Sequence, residues 1–190
     1  MFFMMRRQTP FAAPNARQRG SSLLEVLIAT LVLSFGMLGL AGLAAGSQRY
    51  AKMAQFQSVG VALAADLGER MRGNIAGFQS GLYARTEAYS KAAPSAKACA
   101  DKSLCTPGEL ASIDMAQWLG DVLRRLPEGG AYVQRDTVNP LATDIWLIWI
   151  DPKQATDLSV ARDDDCPANA LKGRASSEPK PRCMYYRISL

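Results

Sequence analysis

Two hydrophobic rhythms divide the chain. From Leu23 to Gly46 the sequence LLEVLIATLVLSFGMLGLAGLAAG is apolar almost throughout and has no polar face. At about 1.5 Å rise per residue, such a run reaches roughly 36 Å as a helix, more than a bilayer core of about 30 Å. Beyond it, Tyr50, Met53, Phe56, Gly60, Leu63, Leu67 and Met71 recur at spacings of three and four. That is the stripe of an amphipathic helix, whose part from Phe56 to Met71 is expected to pack on a globular domain. The two stretches predict one continuous helix from about Ser21 to a stop near Gly73 or Gly77. Such a helix is too long for an ordinary globular domain.

The remainder predicts a mixed head. Residues 78–105 are polar and irregular. Thr106-Pro107-Gly108-Glu109 has the form of a capping box with proline at the first helical position. A helix is expected through Leu110, Ile113, Gln117, Trp118, Leu119, Val122 and Leu126, stopping at Leu126-Pro127, with Glu128-Gly129-Gly130 as a turn. Strands are expected over Ala131–Val138, Asp144–Ile150 and Cys183–Leu190. The second of these is apolar on both faces and so is expected to be central, with Trp146 and Trp149 on opposite faces as core or contact anchors.

Charge alters the picture at the N-terminus. The net charge is +5, but Arg6, Arg7, Arg17 and Arg19 lie in the first twenty residues, which hold no acid. Without them, 18 basic residues face 17 acidic ones. The folded part therefore lacks the basic face of a nucleic-acid binder, and no nucleic acid is expected as a partner. Arg17 and Arg19 precede the apolar run, and this bias places the N-terminus in the cytoplasm. Mean hydropathy near zero excludes a polytopic membrane protein.

Glu25 interrupts the apolar run as the only ionisable side chain between Arg19 and Arg49. A carboxylate in hydrocarbon is costly and usually functional, with a partner; the bland alternative is that Glu25 snorkels to the headgroups. Three readings compete for the segment. A secretory signal peptide has a shorter apolar region, with cleavage after it. An uncleaved anchor leaves Gly20 and Glu25 unexplained. Cleavage before the apolar run accounts for both.

The chain has no histidine, hence neither the commonest general base nor the commonest metal ligand. No catalytic residue, cofactor or metal site is expected. Asp163-Asp164-Asp165 is a carboxylate cluster that reads as a solvated turn rather than a calcium loop. Cys99, Cys105, Cys166 and Cys183 form an even set downstream of an export segment, which suggests two disulfides. Of three pairings, proximity favours Cys99–Cys105 and Cys166–Cys183. A bond closing about fifteen residues contributes roughly 3 kcal/mol by restricting the unfolded chain.

Gly20-Ser21-Ser22-Leu23-Leu24-Glu25-Val26-Leu27-Ile28-Ala29, after a basic leader and before about twenty apolar residues, resembles the type IV prepilin family. The resemblance implies an α+β pilin fold: a long N-terminal helix, half membrane-spanning and half amphipathic, packed on a small antiparallel sheet. It implies a cleaved leader over 1–20, an apolar polymerisation helix over 21–46, an amphipathic continuation over 47–77, and a head over 78–190 with disulfide-bounded loops. It further implies cleavage between Gly20 and Ser21 by prepilin peptidase, N-methylation of Ser21, and Glu25 as the assembly carboxylate. Most family members begin the mature chain with Phe or Met, and this one begins with Ser21. The Cys166–Cys183 pair resembles the disulfide-bounded loop of pilins.

Cys99…Cys105-Thr106-Pro107, Leu110-Ala111, Asp114, Trp118, Leu126-Pro127-Glu128-Gly129-Gly130 and the Trp-rich strand look like the PilV-type minor pilins. That resemblance implies a priming or tip complex with other minor pilins, the major pilin and a tip adhesin. It also implies an inner-membrane assembly platform, and membrane lipid as the surroundings before assembly. A minor pseudopilin of a type II secretion system shares the leader and fold. A membrane-anchored periplasmic enzyme is the rival from another class, without a catalytic constellation to support it.

Overall fold

A computed structural model describes residues 22–90, 92, 94–96, 98–100, 104–150, 166–175 and 177–190. The leader 1–20 and the Asp163–Asp165 cluster lie outside the described residues. The elements are α1 (Leu23–Gly73), α2 (Ile75–Gln79), α3 (Pro107–Arg125), β1 (Gly130–Arg135), β2 (Ala142–Trp149) and β3 (Arg182–Ser189). The architecture is α+β and pilin-like: a long N-terminal helix, apolar in its first half, followed by a small antiparallel sheet. The chain divides into two compact units between Gln48 and Arg49.

In the first unit the helix contains its own polar groups. The Thr30 hydroxyl donates to the Leu27 carbonyl at 2.9 Å, and the Ser34 hydroxyl to that of Thr30 at 2.7 Å. Such back-bonding satisfies both hydroxyls within the helix itself.

In the second unit, α1 buries Gly60, Leu63, Ala64, Leu67, Gly68 and Met71. Packing begins at Phe56, as expected, and Tyr50 before it is 75% exposed. The helix stops where Asn74 takes over. Its Oδ1 accepts the Gly77 amide at 3.1 Å, starting α2, while its Nδ2 donates to the Pro107 carbonyl at 2.8 Å.

The Thr106 capping box forms as the sequence requires. Thr106 Oγ1 accepts the Glu109 amide at 3.3 Å, and Glu109 Oε2 accepts the Thr106 amide at 2.8 Å. The buried face of α3 is Ala111, Met115, Trp118, Leu119 and Val122, continued by Leu126 at its cap. Leu110 and Ile113 are half-buried at its edges and Gln117 is exposed, so the core stripe is rotated from the one expected.

The sheet has the order β1-β2-β3, antiparallel throughout, with β2 central. β1 ends at Arg135 rather than Val138. The Asp136 carboxylate accepts the amides of Val138 at 2.7 Å and Asn139 at 3.1 Å, and this turns the chain. Ala131, Val133, Ile145 and Leu147 join Leu63, Leu67, Met71 and Trp118 in one core. β3 closes against α1 through two glycines. A Cβ on Gly60 would lie 2.9 Å from the Tyr186 hydroxyl, and one on Gly68 would lie 3.1 Å from Ile188 Cδ1.

Trp118 is the keystone of this core. It is fully buried, and its indole Nε1 donates to the Leu63 carbonyl at 2.8 Å, which fastens α3 to α1. Trp118→Ala is expected to cost about 3–5 kcal/mol. Trp118→Phe, which keeps most packing and removes the hydrogen bond, should cost about 1 kcal/mol. Denaturant unfolding of the detergent-solubilised protein checks both.

Candidate functional site

The candidate site is the start of α1. Ser22 precedes the helix, and its carbonyl accepts the amides of Glu25 at 2.9 Å and Val26 at 3.2 Å. Glu25 therefore sits in the first turn, where the positive end of the helix dipole favours an anion. Among the described residues, no hydrogen-bond donor or cation reaches its side chain. Leu23, Leu24, Val26, Leu27, Ile28 and Leu31 around it are exposed. Farther along, Gly36, Gly39, Gly42 and Gly46 have nothing near the space a Cβ would fill. The helix is long and apolar enough to cross a membrane by length and composition.

The result is an apolar surface with no protein cover and one carboxylate near its end. Gly20 and Ser21 lie outside the described residues. Residues 15–41 match the family model of the prokaryotic N-terminal methylation motif. The methylation motif spans Gly20, Ser21 and Glu25 together and runs into the apolar helix. It supports a type IV pilin or pseudopilin subunit that is processed by prepilin peptidase and assembles with other pilins. The apolar helix fits a single-pass anchor of a prepilin-type protein. No curated protein and no solved structure matches the chain.

The cysteines lie far from Glu25 in sequence, and both bonds are in the head. Cys99 and Cys105 are joined with Cα atoms 5.0 Å apart, and Cys166 and Cys183 with Cα atoms 5.2 Å apart. The first loop is tied to α3, because Glu109 Oε1 accepts the Ala100 amide at 2.7 Å. These amide donors, first Thr106 and then Ala100, hold the Glu109 carboxyl below the usual carboxylate range. The second bond ties the segment from Cys166 to the first residues of β3. There Ala170 packs with Tyr132 and Ile148 on the outer face of the sheet. Tyr89 closes the same corner: its amide donates to the Ala170 carbonyl at 2.8 Å, and its hydroxyl to the Glu128 carbonyl. Burial, reinforced by the negative charge of Glu128, pushes the Tyr89 hydroxyl up to about 12.

A polar network that the sequence does not announce fastens the end of α1 to α3. Arg70 Nε donates to Asp66 at 3.0 Å, and its Nη1 to Gln117 at 3.1 Å and Asp114 at 3.5 Å. The buried Tyr83 hydroxyl donates to Asp114 Oδ2 at 2.5 Å and accepts from Asn74 Nδ2 at 3.2 Å. Burial and the bond to Asp114 raise the Tyr83 hydroxyl well above the ordinary tyrosine range. The one local signal was Asn74, a cap residue after glycine.

On the outer sheet face, Tyr132, Trp146 and Tyr185 form a cross-strand row. Beside it, Arg187 pairs with Asp144 at 3.2 Å and with Asp136. Amide donation from Asn139 and Val138, then Arg187, holds the Asp136 carboxyl below its usual value. A depressed folded value means that the ionised turn stabilises the fold above the unfolded aspartate pKa of about 3.9. That contribution is lost as pH falls through the lower folded value. The Val138 and Asn139 amide resonances should therefore titrate at a pH below that of an ordinary aspartate, and Asp136→Asn should abolish this transition.

Proposed function

We propose that the chain is a minor pilin of a type IV pilus, made as a prepilin with an inner-membrane anchor and a periplasmic head. Cleavage between Gly20 and Ser21 unmasks an α-amino group, which is methylated on Ser21. The subunit then enters a tip or priming complex with other minor pilins, the major pilin and a tip adhesin. It supports twitching motility and adhesion by polymerising and presenting a surface, not by catalysis. The head resemblance favours the pilus. A minor pseudopilin of a secretion system would use the same motif.

The observation that carries this reading is Glu25, unpartnered in the first turn of an exposed apolar helix. In a bundle of such helices an unpaired carboxylate is penalised, and an opposite charge is worth far more than in water. The new amine lies four residues before Glu25 in the sequence of its own chain. The amine of an incoming subunit neutralises Glu25 of a neighbour already in place, and this sets axial register.

Intact mass and N-terminal sequencing of membrane-extracted protein should give a chain starting at Ser21, with one methyl group added. A start near Gly46 would indicate ordinary signal-peptide removal. Glu25→Ala should leave cleavage intact and reduce incorporation into filaments by at least about tenfold, the equivalent of 1.4 kcal/mol. Unchanged incorporation would overturn the role given to Glu25. Deletion of the protein should abolish piliation while leaving protein export intact; the reverse would assign it to the secretion pseudopilus.

A further inference from the structure

A short edge beside β1 stands open. Arg85 exchanges both backbone hydrogen bonds with Val133, at 2.8 and 2.9 Å, and so adds a fourth, minimal rung to the sheet. In antiparallel pairing, the residues on either side turn their amide and carbonyl groups the other way. These are Ala84 and Thr86, and both are exposed. The Ala84 amide closes a turn to Gly81 at 3.1 Å. Among the described residues, the Ala84 carbonyl and both backbone groups of Thr86 have no partner.

This edge borders a cleft of about 380 Å³ between residues 82–87 and α3. Ala111, Met115 and Leu119, all buried, give it an apolar wall. Arg85 also lines it, with only 15% of its side chain exposed, and among the described residues its one carboxylate neighbour is Glu87 at 3.8 Å, itself 80% exposed. The cleft thus offers backbone groups awaiting a strand, an apolar wall, and a cation whose counter-charge is mostly in solvent.

We propose that this cleft receives an extended segment of a partner protein, added as a strand to the Ala84–Thr86 edge. On the face turned to α3, that segment carries an apolar side chain and a carboxylate two residues apart. Backbone pairing would supply affinity, and the alternate side chains specificity. The charge argues against a second copy of this chain as the donor. The opposite edge of the sheet, β3, carries Arg182 and Arg187 and no acid. The proposal is independent of whether the filament is a pilus or a pseudopilus.

The test uses the full chain, isotopically labelled, in detergent micelles. The probes are acetyl-Thr-Leu-Thr-Asp-Thr-amide, its Asp→Lys counterpart, and a fully N-methylated version of the first. The acidic peptide should shift the Ala84 and Thr86 amides and the Met115 methyl. It should bind about threefold more tightly than the lysine peptide, the discrimination expected of a partly exposed ion pair. Arg85→Glu should invert that order. Thr86→Pro removes a donor at the open edge only, so it should abolish binding while the Val133 amide signal stays in place. The proposal is overturned if no probe shifts Thr86, or if the N-methylated peptide binds equally well. It is also overturned if the same shifts arise on concentrating the protein alone, which would place a second copy in the cleft.

Discussion

A carboxylate in the first turn of an apolar helix constrains everything this chain can do. Glu25 is favoured locally by the helix dipole, yet it has no counter-charge among the described residues. Water or a headgroup can solvate it at a membrane surface. Inside a bundle of like helices only a cation can, and the chain's described basic residues begin at Arg49, far along the same helix. In the assembly proposed above, lipid headgroups or water solvate this carboxylate before polymerisation and a neighbour's amine does so afterwards, so monomer and polymer would be two answers to one desolvation problem.

The second half of the same helix solves a different problem. From Phe56 onward its stripe is covered by the sheet and by α3, with Trp118 joining the three. Gly60 and Gly68 cost helix propensity, since glycine is about 1 kcal/mol worse than alanine in a helix. They are tolerated because Tyr186 and Ile188 occupy the space their side chains would take. The network of Arg70, Asp114, Tyr83 and Asn74 then locks the last turns of α1 to α3. A subunit built on one helix needs this attachment, because any load carried by the helix reaches the head through these contacts.

The sequence displayed the features that depend on local order. The apolar run, the α1 stop at Gly73, the Thr106 capping box and the central place of β2 all follow from periodicity, capping chemistry and two-faced hydrophobicity. The methylation motif was legible too, because its features stand at short fixed spacings within residues 15–41. What stayed hidden depends on residues distant in sequence. Tyr83 lies in a polar stretch that reads as surface, yet it is buried, with its hydroxyl donating a hydrogen bond to Asp114, 31 residues on. Tyr50 shows the limit of periodicity: it continues the helical stripe, but the packed part begins at Phe56. The β1 boundary moved because Asp136, indistinguishable from a solvated acid in sequence, folds the turn around its own carboxylate.

The Cys166–Cys183 bond has an effect beyond restricting the unfolded chain. Cys183 stands opposite Ile148 on the central strand, and Met184, Tyr186 and Ile188 follow with their side chains toward α1 or the core. Sliding β3 by a single residue would invert that alternation, sending three apolar side chains to solvent and Tyr185 and Arg187 inward. Once Cys183 is anchored, such a slip must drag the whole cross-linked segment with it. Closure of this bond therefore acts as a proofreading step, fixing the frame in which the final strand is read into the sheet.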